Sequence, residues 1–344
     1  MRRPPRIHGR RAAATVALVC ALTATTQQAA RAEPMTLAEV RARLQSLYHD
    51  AEVATDKYDA ADVKVARQKK RVGTLTAQVH ATEVRLARLT ALAGAAARAQ
   101  YRSGGVPAEL QFALADDPGR ALDNAGLALQ AQQNTQNLLT DLTATRADLR
   151  SRTGAAAAEL KRLQAGRRAM DTERGKIEQH ITEARTLESR LAATERQRIA
   201  DLDRRDADKA QVKWESTGIL KKVGTHGTTA GKKAIAYATR QLGKPYVWGA
   251  EGPDSFDCSG LTSQAWLAAG VTIPRTSEQQ WAQLKHVPVE DMRPGDLIIY
   301  FSDASHVAIY VGGGNIISAP RPGRVVYVSP AASMQILGVV RPDA

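Results

Sequence analysis

Gly243-Lys-Pro-Tyr-Val-Trp-Gly-Ala-Glu-Gly-Pro-Asp-Ser-Phe-Asp-Cys258-Ser-Gly-Leu261 decides how the rest of the chain is read. Turn residues Gly243, Pro245, Gly249, Gly252 and Pro253 deliver a cysteine to the start of an apolar helical run, Leu261 to Ala269, with Gly270 as the stop. Cys258 therefore falls in the first turn of a helix. Unpaired backbone N–H groups and the positive end of the helix dipole favour thiolate there, which suits a nucleophile.

Downstream, Ser305-His306-Val-Ala-Ile-Tyr-Val311 alternates as a strand does, and Gly312-Gly313-Gly314 turns the chain into a second strand, 315–319. His306 is the natural base for Cys258. The two lie far apart in sequence and meet only in the fold, as in papain-like enzymes, where a helix carries the thiol and a sheet the imidazole. The competing reading of His306 is a buried strand histidine.

Several motifs in one order carry a family resemblance over about residues 230–342: Tyr246-x-Trp-Gly, Asp257-Cys258-Ser259-Gly260-Leu261, Pro274-Arg-Thr-Ser277, Arg293-Pro-Gly-Asp-Leu297 and His306-Val-Ala-Ile-Tyr310. Together they resemble the NlpC-type cell-wall cysteine endopeptidases. The resemblance implies hydrolysis of the bond between D-glutamate and diaminopimelate (or lysine) in peptidoglycan stem peptides. Cys258 would attack and His306 would serve as base and then acid, with no cofactor or metal. Tyr246, twelve positions before Cys258, is carried over as an oxyanion or substrate contact, while Asp257, Ser259, Arg275 and Ser277 would line the stem-peptide pocket. Asp257 also reads as a plain helix N-cap. The family's third polar residue, commonly His and sometimes Glu, lies twelve positions after the histidine. Here Ser318 stands there, a departure that leaves a weaker hydrogen bond to orient the ring.

The chain has 344 residues but only 4% aromatic content, so much of it is expected to be elongated. Residues 1–32 read as a secretory signal peptide. Five arginines precede an apolar run from Ala12 to about Ala24, and Ala30-Arg31-Ala32 fits a cleavage site before Glu33. The apolar run is well short of the roughly 20 residues that span a bilayer, so no transmembrane anchor is expected after cleavage. Without the leader the net charge falls from +13 to +7, since six of the 48 basic residues go and all 35 acidic ones stay. A basic exported protein suits anionic wall polymers, and its mixed charge and export argue against nucleic acid. Cleavage also removes Cys20 and leaves Cys258 as the only cysteine, which excludes an intramolecular disulfide. Seven scattered histidines show no metal-ligand spacing.

From Leu37 a seven-residue beat runs through Leu44, Ala51, Tyr58, Val65, Val72, Val79, Leu86 and Ala93, with a second series three residues later broken only at Gln68 and Thr82. This predicts a coiled-coil helix about 90 Å long at 1.5 Å per residue. Ser103-Gly-Gly-Val-Pro107 ends it, and the segment to Pro118 forms the expected tip. A return arm from about Ala121 to Asp208 repeats the beat at Leu142, Leu149, Ala156, Leu163, Met170, Ile177, Ala184 and Leu191. Its partner positions are read as Arg146, Thr153, Arg167, Arg174 and Glu188, a more polar seam. An intramolecular antiparallel hairpin is expected, with a dimer through the same seams as the alternative.

The expected organisation is a signal peptide (1–32), a coiled-coil hairpin (33–213), a glycine-bearing linker (214–231) and an α+β, papain-like NlpC-type domain (232–344) with helices packed on an antiparallel sheet. A linker of this length spans about 20–25 Å as a random coil, enough for the enzyme to fold back on the return arm. That arm is expected to cover the Cys258 cleft until an envelope or divisome partner, or proteolysis, releases it, with a passive spacer as the alternative. The protein is read as a secreted, wall-associated peptidase. The rivals are a non-catalytic wall regulator with a decayed site and a papain-like amidase.

Overall fold

The computed structural model describes residues 35–102 and 118–344. The expected leader, and residues 104–117 of the expected tip, lie outside the described residues.

Two long helices form the hairpin: α1, Leu37–Arg102, of 66 residues, and α2, Pro118–Ser189, of 72. They run antiparallel. Arg43 pairs with Glu183, Arg71 with Glu159, and Arg152 donates to Gln78, so contacts move down one helix as they move up the other. The predicted beat is visible in the burial. In the outer part of α1 the sheltered positions are 72, 75, 79, 82, 86, 89, 93, 94 and 96, with solvent-facing residues at the others between 72 and 96. No helix among the described residues is long and apolar enough to cross a membrane.

The return arm corrects the expected seam. Arg146, Thr153, Arg167 and Arg174 are exposed, whereas the residues one position earlier, Thr145, Arg152, Gly166 and Glu173, are sheltered. The second series therefore follows the first by three residues in both arms, as an antiparallel pair with a single shared period requires. Arg152 reaches out from this seam to Asp148 and Gln78, and Glu159 is buried with Arg162 against it.

Helix α2 stops at Arg190–Ala192. Arg196 caps its end by donating to Leu191 O at 2.6 Å, and Glu195 accepts the Ala192 N–H to start α3, Ala193–Ser216. Helix α3 packs on the base of α1, where Val40, Leu44, Leu47, Tyr48, Ala184 and Ile199 form one cluster and Arg41 bridges Asp203 and Asp206.

The C-terminal part is α+β. Helices α4 (Thr229–Thr239), α5 (Cys258–Ala268) and α6 (Ser277–Gln283) precede or flank a six-stranded sheet. Its strands are β1 (Lys285–Val287), β2 (Leu297–Tyr300), β3 (His306–Gly312), β4 (Asn315–Ser318), β5 (Tyr327–Pro330) and β6 (Ile336–Arg341), in the order β1-β6-β2-β3-β4-β5. Every pairing is antiparallel. Period-two alternation divides the central strands. Leu297, Ile299, Val307 and Ile309 face α4 and α5, while Ile298, Tyr300, Ala308 and Tyr310 face the opposite core. Short α6 and β1 were not anticipated, being too brief to show a period.

The first half of the expected linker, 214–223, lies along that opposite core. Trp214, Ile219 and Leu220 pack against it, and Gln211 of α3 donates to Gly314 O and accepts the Ala332 N–H. A Cβ on Gly227 would lie 2.4 Å from Pro294 O, so this glycine permits close approach of two backbones.

Candidate active site

Asp257 caps the start of α5, the helix that opens with Cys258. Its Oδ1 accepts the Gly260 N–H at 2.6 Å, and it takes two bonds from Arg275, at 3.1 Å from Nη1 and 2.6 Å from Nη2. Arg275 also donates to Glu251 and Ser259, so one guanidinium ties the approach loop to the helix start. Gly260 is required by contact: a Cβ there would lie 2.2 Å from Ala250 O. This is the physical content of the Asp257-Cys-Ser-Gly260 run.

Helix α5 brings Cys258 against the first residues of β3, where the Val307 N–H is near enough to favour the thiolate slightly. Tyr246 lies beside it, held by an N–H bond to Arg324 O and a bridge to Phe256. Ser318 is buried in β4, but its Oγ has no hydrogen-bond partner among the described residues, and neither has either ring nitrogen of His306. Cys258 and Tyr246 thus meet the start of β3, the strand that carries His306, while hydrogen bonds from His306 to Cys258 and to Ser318 are not made in this arrangement.

Helix α1 lies against this cluster. Tyr48, His49, Glu52, Asp56, Tyr58 and Asp59 fall on a face that runs across the cleft, at the spacing that keeps residues three and four apart together. Glu52 Oε1 stands 3.6 Å from His306 Nδ1. Asp56 accepts from the Ser277 hydroxyl and from the Ser277 and Glu278 N–H groups. Asp59 stands 3.3 Å from Arg275 Nη2. Tyr58 meets Trp248 edge to face at 5.2 Å, His49 pairs with Asp303 at 3.1 Å, and Arg321 stacks on Tyr48 at 3.9 Å. Cys258 is only 4% exposed and His306 fully buried.

Covering changes the chemistry of the thiol. Burial pushes the Cys258 thiol well above its ordinary value, and Asp257, Asp56 and Glu52 push the same way. The helix-start argument for a thiolate is thereby reversed in this state, because desolvation and nearby carboxylates outweigh the dipole. Burial likewise raises the Tyr246 hydroxyl, with Cys258 and Asp257 adding to it, so the phenol is a neutral donor.

Every residue singled out from the sequence lies in or beside this cleft: Cys258, His306, Tyr246, Asp257, Ser259, Arg275 and Ser277, with Ser318 one strand further along. Arg275 and Ser277, expected to meet substrate, here hold carboxylates of α1. Glu52, Asp56 and Asp59 were missed. Their only signal was an acidic stripe on one face of α1, offset from the heptad seam. The covering surface was expected on the return arm. Instead α1 supplies it, and α2 flanks a remaining cavity of about 230 Å³ between Glu178, Ile181, Arg185 and Tyr246, Trp248, Gly323. Among the described residues no group of three or more His, Cys, Asp or Glu is arranged to hold a metal ion.

A helix-borne thiol set against a strand-borne imidazole on an antiparallel sheet defines a papain-like α+β fold. Residues 243–336 match the model of the NlpC/P60 family, and this part of the chain is an NlpC/P60 domain. A protein of Corynebacterium glutamicum named "Probable endopeptidase" is 46% identical over 91 residues, which make up 26% of this chain and 44% of that one. The "Probable endopeptidase p60" of Listeria seeligeri is 47% identical over 91 residues, covering 26% of this chain and 17% of its own. The chain thus spans less than half the length of these curated relatives. Among solved structures, the NlpC/p60 domain of the peptidoglycan hydrolase SagA is 35% identical, covers 32% of this chain and 97% of its own, and has a TM-score of 0.31. NlpC2 from Trichomonas vaginalis is 31% identical over 34% of this chain and 49% of its own, with a TM-score of 0.32.

Proposed function

We propose that this chain is an exported peptidoglycan endopeptidase, latent as described, that hydrolyses the bond between D-glutamate and diaminopimelate (or lysine) with Cys258 as nucleophile. The observation that carries the reading is the convergence of Cys258, at the first turn of α5, with the start of β3 and Tyr246 inside a domain matching the NlpC/P60 family. Once α1 has left, His306 Nδ1 loses Glu52 as its neighbour and is free to pair with the thiol. His306 takes the thiol proton, the sulfur adds to the amide carbonyl carbon while the Tyr246 hydroxyl donates to the developing oxyanion, and as the C–N bond breaks the imidazolium protonates the leaving amine to give a thioester. Water then clears the thioester with His306 as base and restores the thiol.

Latency follows from the cover. A wall hydrolase that is active at once on export endangers the cell, and α1 both fills the cleft and holds Cys258 as a thiol. An envelope partner that draws the hairpin away is the natural activator. One observation favours a second reading, a non-catalytic regulator: Ser318, at the third position, makes no hydrogen bond to His306. Mass spectrometry of soluble muropeptides incubated with the protein separates the two. The proposal expects fragments ending in D-glutamate that disappear with Cys258→Ala. Unchanged muropeptides under conditions that expose Cys258 would support the regulator, and loss of the whole stem from the glycan would point to an amidase.

A further inference from the structure

The contact between α1 and the cleft is charged in an unbalanced way. Within it lie the carboxyl groups of Glu52, Asp56 and Asp59 from α1 and of Asp257 from the start of α5, with Glu278 at the start of α6 and Glu251 on the approach loop. Facing them are the Arg275 guanidinium, the His306 imidazole, the Tyr246 hydroxyl and the Cys258 thiol. From α2, Asp171 and Arg174 approach Tyr58, and Arg174 is itself paired with Glu178. His49, on the same face of α1, is paired with Asp303.

Arg275 is largely committed before α1 arrives. Its Nε serves Glu251 at 2.6 Å, Nη1 serves Asp257 and Ser259, and Nη2 serves Asp257 at 2.6 Å. Asp59 has only a second claim on Nη2, and its Oδ2 is buried with no hydrogen bond. Among the described residues Asp56 pairs with no cation and meets only one hydroxyl and two N–H groups. Asp56 is 2% exposed and Asp59 3%, so neither charge is relieved by solvent.

We propose that the docking of α1 is a proton-linked latch: the closed form holds protons on Asp56 and Asp59 that the released helix gives up, so rising pH frees the cleft and falling pH closes it. The inference rests on the reading of α1 as a removable cover and deepens it by naming what moves the equilibrium. Burial is the largest cause in both groups, followed for Asp59 by the neighbouring Asp257. Asp56 is pushed up to about 7 and Asp59 to about 9. On a released, solvated helix both return to the ordinary carboxyl range near about 3.9. The sign is fixed by that order. Below the open value both forms are protonated and closure is at its firmest. As pH rises from there towards the closed values, the open form sheds protons first, and the closed-to-open ratio falls roughly tenfold per pH unit for each carboxyl concerned. The loss is complete for Asp56 above about 7 and for Asp59 above about 9.

The test is alkylation of Cys258 by iodoacetamide in the full chain from pH 5 to 9, with the Asp56→Asn/Asp59→Asn double variant run in parallel. Asparagine imitates the protonated carboxyl, and dividing the wild-type rate by the variant rate cancels the thiol's own pH dependence. That quotient is expected to climb by at least about tenfold between pH 5 and 7, the loss of one carboxyl's proton over part of its range. A quotient constant within twofold across the series overturns the latch. Should the double variant not fold, Asp59→Asn alone carries the comparison. If it also fails, hydrogen exchange along α1 of the wild-type chain, corrected for its intrinsic pH dependence, must show an opening constant that rises with pH, and a constant value overturns the proposal. No substrate is used, so the outcome is separate from whether the enzyme cleaves peptidoglycan.

Discussion

Glu52 Oε1 lies 3.6 Å from His306 Nδ1, and neither nitrogen of that imidazole makes a hydrogen bond, so a carboxylate from the hairpin stands directly beside the ring. It also stands among the groups that hold Cys258 as a thiol. A single side chain of α1 thus lies beside the His306 ring and also raises the Cys258 thiol.

Glu52→Ala is therefore expected to raise the alkylation rate of Cys258 in the full chain at neutral pH. Removing a carboxylate that helps to raise the thiol increases its thiolate fraction, and the vacated space adds access. Iodoacetamide labelling followed by intact-mass analysis measures it. An unchanged rate would mean that Glu52 is a bystander.

Ser318 gives a different expectation. With no hydrogen bond from its Oγ to His306, Ser318→Ala should lower kcat by about tenfold or less, far below the roughly 10²–10⁴ that a general acid–base group supplies. Steady-state hydrolysis of a soluble muropeptide by a form with the hairpin removed reads it out. A loss as large as that of His306→Ala would show that the serine swings to the ring in the open state.

Gly260→Ala tests the local geometry. The added methyl would stand 2.2 Å from Ala250 O and 2.9 Å from Asp257 Oδ1, against backbone and against the cap of the nucleophile helix. Overpacking of this kind costs about 1–3 kcal/mol. Thermal unfolding should show a lower Tm with the whole C-terminal part affected, and an unchanged Tm would contradict the contact.

Local chemistry made much of this legible in the sequence. Asp257 before Cys258 marks a capped helix start, the alternation after His306 marks a strand, and the spacing of Leu37, Leu44 and Ala51 marks the hairpin seam. All three depend on neighbours along the chain. The cover does not. Glu52, Asp56 and Asp59 fall between seam positions, where a charged residue on a long helix ordinarily faces solvent, and only the fold carries that face to Arg275 and Ser277. The return-arm seam was misplaced by one residue because Arg152 and Glu159, both in the true seam, look like surface residues.

The most direct test of the central claim compares two forms on the same soluble muropeptide by mass spectrometry: residues 33–344, and residues 209–344, which lack the hairpin yet keep Gln211 and Trp214 on the sheet. Latency through α1 predicts that the short form cuts between D-glutamate and diaminopimelate at least about tenfold faster, the change expected from exposing the thiol alone, and that Cys258→Ala silences both. Equal rates from the two forms would show that the hairpin only positions the enzyme and would contradict the account.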